Sequence, residues 1–188
     1  MNLSPRVALI TGVGSPQGIG FATARLLAQQ RLRIAITSTT ERIEERVREL
    51  AAEGADVFGF TADLRDHART QVLIHGVIAR YGRLDILVNN AGMTQVGSPT
   101  ATTSLPLAEL PENEWDYGIA INLKTAFNVT KAVLPFMLTA NYGRIVSVSS
   151  VTGPISSTLA KPPTVPPKPA WSDLLAVSHS RLPTRGSL

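Results

Sequence analysis

Five short apolar runs alternate with helical stretches over the first 150 residues of this chain, and that alternation limits its architecture more than any other feature. "RVALIT" (6–11) is an apolar run that stops at a glycine, as a buried strand does. Residues 18–30 carry Ile19, Ala22, Leu26 and Leu27 at helical spacing. "LRIAIT" predicts a second strand, 41–53 a solvated helix rich in Glu and Arg, and "ADVFGFTADL" a third strand with its exit. Residues 66–81 place Val72, Ile74, Val77 and Ile78 on a third helix. "LDILVNNAG" predicts a fourth strand, 111–140 one long helix with Pro135 kinking it or near its end, and "GRIVSVSS" a fifth strand. Strand–helix alternation implies a parallel sheet with helices on both faces, right-handed crossovers and a doubly wound order.

The pattern stops near Thr158. Five prolines (Pro162, Pro163, Pro166, Pro167, Pro169) fall within eight residues, and neither a helix nor a central strand continues through such a run. The expected organisation is therefore a domain over 1–158 and a proline-rich, disordered tail over 159–188. The tail also explains the charge. Residues 1–153 hold 14 basic and 13 acidic residues, whereas 154–188 hold four and one. The net charge of +4 is thus no basic stripe, and nucleic acid is not an expected partner. Without cysteine there is no disulfide framework or thiolate metal site. The apolar run at the N-terminus is too short for a signal peptide and none reaches membrane-spanning length, so the expected location is cytoplasmic, without a membrane partner.

"TGVGSPQGIG" (11–20) lies between the first strand and the first helix. Glycines there allow a tight turn and close approach of the backbone to a pyrophosphate at the helix N-terminus; the plain alternative is an ordinary strand–helix turn. Together with "NNAG" (89–92) and "GRIVSVSSVTG" (143–153), this turn resembles the short-chain dehydrogenase/reductase family, of the ketoacyl-reductase-like type, in family order and at family spacing over about residues 5–158. One departure is visible: five residues separate Gly12 from Gly18, where the family has three.

The resemblance implies a Rossmann-type α/β sheet, here truncated after the fifth strand, and a nicotinamide cofactor. It assigns Gly12, Gly18, Ile19 and Gly20 to the pyrophosphate, Asp63 to the adenine, and Asn89, Ala91 and Gly92 to the floor beside the adenosine ribose. By residue type alone Asp63 reads equally as a turn or capping residue. The end of the second strand, "TSTTER", has no acid before Glu41. Ser38, Thr39 and Thr40 with Arg42 suit the 2′-phosphate of NADP better than the 2′-hydroxyl of NAD, which remains possible. The competing reading of Arg42 is a helix-surface pair with Glu45.

The family's implied chemistry is hydride transfer between the cofactor and a small carbonyl or alcohol substrate, served by Asn, Ser, Tyr and Lys. Asn122 in "AINLKTAF" and Ser150 in "VSSVTG" match the first two. Asn122 could instead be a helix-bending polar residue, and Ser150 a strand-end hydroxyl easily confused with Ser147 or Ser149. The tyrosine and lysine have no counterpart. Tyr81, Tyr117 and Tyr142 are followed four residues on by Asp85, Ile121 and Val146. The chain as written is therefore expected to be inactive, the alternative being a non-catalytic NADP-binding protein or an unstable fragment. Regrouped by one base, however, the codons of Pro163 to Lys168 can spell Tyr-Ser-Ala-Ala-Lys, which makes the tail a suspected frameshift product. Loss of the family's next helix and strands is expected to expose apolar surface and to remove its homo-oligomer interface.

Overall fold

The computed structural model describes residues 5–92 and 111–149. Residues 5–91 and 125–148 belong to one compact unit; 92, 111–124 and 149 belong to a second. The boundary expected at 158 and the whole tail lie outside the described residues.

In the first unit the expected alternation is present: β1 (Val7–Thr11), α1 (Ile19–Gln29), β2 (Arg33–Ser38), α2 (Arg42–Ala52), β3 (Val57–Thr61), α3 (His67–Tyr81), β4 (Ile86–Asn89), α5 (Thr125–Thr139) and β5 (Arg144–Ser147), with α4 (Glu112–Ile119) in the second. All described strand pairs are parallel, in the order β3-β2-β1-β4-β5. The chain winds outward from β1 through β2 to β3, then returns to the other side of β1, and this reversal opens a crevice at the carboxyl ends of β1 and β4.

Side chains alternate across a strand, and β1 divides its residues accordingly. Val7 and Leu9 join Leu73, Ile74 and Val77 of α3, Leu87 of β4, and Val129, Val133 and Met137 of α5. Ala8 and Ile10 join Phe21 and Ala24 of α1, Ile34 and Ile36 of β2, and Ile43 and Leu50 of α2. Every residue of β1 is buried, which fits a central strand covered on both faces. Gly82, with φ of 75°, closes α3 in the left-handed conformation that glycine adopts most readily.

The helix expected as one piece over 111–140 is interrupted. Between α4 and α5, residues Ala120–Lys124 form a π-helical turn. Within it the Asn122 side-chain amide donates to the Gly118 carbonyl at 3.1 Å, competing for the acceptor that an α-helical ladder would offer the Asn122 main chain. Pro135 sits inside α5, so the ladder is broken at the asparagine and not only at the proline.

The amino-terminal ends of β1, β4 and β5 are tied by one buried carboxylate. Asp85, 1% exposed, accepts from the Val7 N–H at 2.9 Å and from Arg83 at 2.7 and 2.6 Å. Its backbone donates to Val7 O at 3.0 Å and accepts from the Arg144 N–H at 2.9 Å. Removing the carboxylate leaves a buried N–H and a partly buried guanidinium unpartnered. We expect Asp85→Ala to lose about 3 kcal/mol of stability, read as a lower urea midpoint.

Candidate cofactor-binding site

At the mouth of the crevice the exits of β1 and β4 are stitched together. The Thr11 hydroxyl accepts from the N–H groups of Asn90 (3.0 Å) and Ala91 (2.9 Å) and donates to Val88 O at 3.3 Å. The Asn90 amide donates back to the carbonyls of Thr11 (3.0 Å) and Gly12 (3.1 Å). This seam leaves no room for side chains. Gly12 has φ of 72°, and a Cβ there would lie 2.8 Å from Ala91 Cα. A Cβ on Gly20 would lie 2.6 Å from the Asn90 amide nitrogen and 2.9 Å from Gly12 O. Both glycines are thus required by close approach within the protein itself, whatever ligand the turn holds.

The longer loop between Gly12 and Gly18 leans on the end of β2. The Val13 N–H donates to Thr37 O at 2.9 Å, and a Cβ on Gly14 would meet Ser38 Cβ at 3.3 Å. Gly18 stands at the N-cap of α1 in extended conformation, with no side chain capping the helix and no acid in its first turn. Gly18 O accepts from Phe21 and Ala22, both at 3.1 Å. Ile19, exposed, and Gly20, buried, open the helix, whose first N–H groups have no intrahelical partner. An uncapped, acid-free helix start behind a glycine turn is chemically suited to an anion.

Beyond β2, the Ser38 hydroxyl donates to Thr40 O at 2.7 Å and accepts from the Thr40 N–H at 3.3 Å, so Ser38 shapes the turn. Thr39, Thr40 and Arg42 are exposed. The expected alternative of an Arg42–Glu45 pair is not what the structure holds: Glu45 pairs with Arg46 at 3.2 Å, and among the described residues Arg42 has no carboxylate partner.

Asp63 lies between β3 and α3. Its carboxylate accepts from the Arg65 N–H at 3.0 Å and from the Arg65 guanidinium, at 2.6 Å to Nη2. Those hydrogen bonds hold the carboxyl below the usual carboxylate range. Asp63 is therefore a turn residue, whereas the cap of α3 is Asp66, which accepts from Ala68 and Arg69. Asn89 is buried at the end of β4 and donates to Thr130 (3.0 Å) and Ser147 (3.4 Å), joining sheet to α5. Ala91 follows it at the seam, and Gly92 is partly exposed. Asn122 is buried in the π turn of the second unit. Ser150 lies outside the described residues.

Within the first unit the structure thus brings Gly12 and Gly20 against Asn90 and Ala91 at the exits of β1 and β4, next to Asn89 in the chain, with Ser38 against the glycine loop. Sequence reasoning missed Thr11, Arg65 and Asn128, and gave Asn90 no role beyond its place in the segment 89–92. The position of Thr11 beside the glycines was the available signal. Asn128 lies outside the helix face marked by Val129, Val133 and Met137, and no local pattern pointed to it.

Comparison with known proteins agrees with this geometry. The short chain dehydrogenase family model matches residues 6–161. The oxidoreductase UcpA of Salmonella typhimurium is 39% identical over 151 residues, covering 80% of this chain and 54% of that protein. The 3-oxoacyl-[acyl-carrier-protein] reductase FabG of Thermotoga maritima is 38% identical over 154 residues, covering 81% and 58%. The chain therefore spans little more than half the length of these curated relatives. A metagenomic short-chain oxidoreductase solved in complex with NADP superposes with a TM-score of 0.71 at 34% identity, covering 83% of this chain and 67% of that one. This chain belongs to the short-chain dehydrogenase family.

Proposed function

We propose that the chain binds NADP(H) and carries the cofactor half of an oxidoreductase that interconverts a small carbonyl compound and its alcohol. The observation that supports the phosphorylated cofactor is Arg42: exposed, at the start of α2, and without a carboxylate partner among the described residues while Glu45 is engaged by Arg46. The residues fit such a group. Gly12, Gly18, Ile19 and Gly20 offer an uncapped, acid-free helix start to the pyrophosphate. Arg42 and Thr39 serve the 2′-phosphate, and Asp63, an acceptor only, serves the adenine amino group. Asn89, Ala91 and Gly92 form the floor beside the adenosine ribose. When bound, the nicotinamide supplies or takes the hydride. Titration of the full chain should give tighter binding of NADPH than NADH. Arg42→Ala should weaken NADPH about tenfold and leave NADH nearly unchanged. Tighter binding of NADH to the wild-type chain would refute the choice of NADP.

Asn122 and Ser150 are assigned to a proton-relaying water and to the substrate oxygen. The proton itself needs a group of suitable pKa, and a tyrosine near 10 requires an adjacent cation. No tyrosine in this chain has a lysine four residues on. The chain as written is therefore proposed not to turn over. The family match ends at residue 161, one residue before the proline run, and supports the reading of that run as the catalytic helix in a shifted frame. Sequencing the DNA across codons 158–168 should show bases that regroup to Tyr-x-x-x-Lys. The restored-frame protein should oxidise NADPH in the presence of a ketone while the chain as written does not. Codons that cannot be regrouped in this way would end the frameshift account.

Among the described residues β5 pairs only with β4, and its Val146 is 53% exposed. An unpaired edge beside exposed apolar surface favours association, so loss of the family's closed oligomer is proposed. Sedimentation should show heterogeneous association that rises with concentration; a monodisperse monomer would contradict it.

A further inference from the structure

We infer that Asn128, on α5, positions the adenine-reading carboxylate of Asp63 through a single peptide plane. The inference rests on the reading of Asp63 proposed above. Asn128 is 3% exposed, and its side-chain amide donates to Leu64 O at 2.9 Å and Arg65 O at 3.1 Å. The Leu64 carbonyl belongs to the same planar unit as the Arg65 N–H. That N–H donates to Asp63 Oδ1 at 3.0 Å. One face of the peptide is thus held by α5 and the other holds the carboxylate, so rotation of the plane would carry Asp63 with it.

The rest of the segment is already fixed. The Ala62 N–H donates to Ser38 O at 2.9 Å, the Asp66 N–H to Asp63 O at 3.1 Å, and the Thr70 hydroxyl to Asp66 O at 2.8 Å. Thr70 also reaches Leu64 O, at 3.4 Å, a longer contact than that of Asn128. Asn128 is the donor that ties the middle of this segment to the helix packed beneath the sheet. The Arg65 guanidinium fixes the carboxylate from the solvent side, leaving the acceptor capacity of its oxygens aimed by two constraints and not by one.

The readout is discrimination between NADPH and its hypoxanthine analogue, in which a ring carbonyl replaces the adenine amino group. Dissociation constants for both are measured on the full chain by titration. A carboxylate aimed at the amino group should favour NADPH about tenfold. Asn128→Leu, similar in volume but without a donor, should bring the ratio to about twofold or less. Asn128→Ser, milder because a hydroxyl and a water can replace the amide, should give an intermediate ratio. General loss of stability lowers the binding-competent fraction for both ligands equally and leaves the ratio in place. A ratio that falls in Asp63→Asn but stays tenfold in both Asn128 variants overturns the inference alone. A wild-type ratio near one, or a ratio untouched by Asp63→Asn, overturns the Asp63 reading and the inference with it.

Discussion

The seam between β1 and β4 sets the geometry of the candidate cofactor site. The carboxyl ends of parallel strands all lie along one edge of the sheet, but only where the winding reverses do the connections leave in opposite directions, and here that point lies between Thr11 and Asn90. The Thr11 hydroxyl and the Asn90 amide satisfy the backbone groups that the two strands release as they part. Their hydrogen bonds draw Gly12 against Ala91 closely enough to exclude a Cβ. The glycine turn is therefore set by packing within the protein before any ligand arrives. The two extra loop residues are absorbed on the β2 side, where Gly14 meets Ser38, without disturbing Gly12 or Gly20.

Electrostatics around this seam is arranged by omission as much as by contact. The first turn of α1 has no acid, so its dipole is not neutralised by the chain itself. The first turn of α2 carries Glu44 and Glu45, yet Glu45 is drawn to the buried Arg46, whose guanidinium also lies 5.4 Å from the Phe21 ring on α1. Among the described residues Arg42 has no carboxylate partner. Asp63, conversely, is kept ionised by Arg65, which suits an acceptor that must not compete for its own proton.

The strands and helices of the first unit were legible because each obeyed a period that burial imposes. The alternation in β1 appears directly as Val7 and Leu9 on one face and Ala8 and Ile10 on the other. The glycine positions were legible for a related reason: a missing side chain leaves a mark in the sequence. What could not be read was which partner a polar side chain chooses. Glu45 stands among three arginines in the sequence, Arg42, Arg46 and Arg48, and pairs with the buried Arg46. Asn128 bonds carbonyls 63 and 64 residues away, a contact without local periodicity. The break at Asn122 was legible only as one of two readings of that residue, a helix-bending polar side chain. An asparagine competes for a carbonyl in some helices and not in others, whereas the proline ring marks its site in every case.

Asn128 and Asn122 lie six residues apart on consecutive helical elements, one facing the loop after β3, the other bonded within its own turn. The first acts on a neighbouring strand exit and so belongs to the cofactor-binding fold. The second alters the helix that carries it, and its part in proton relay is the proposal made above. A chain can keep the first role while lacking the tyrosine and lysine that make the second useful. Gly12, Gly20, Thr11 and Asn90 are held by packing and hydrogen bonding among themselves and with Ala91, and Asn128 by its bonds to Leu64 O and Arg65 O. The nucleotide-binding geometry proposed for the strand exits therefore rests on contacts within residues 5–91 and 125–148, apart from the Tyr-x-x-x-Lys pair that the sequence lacks.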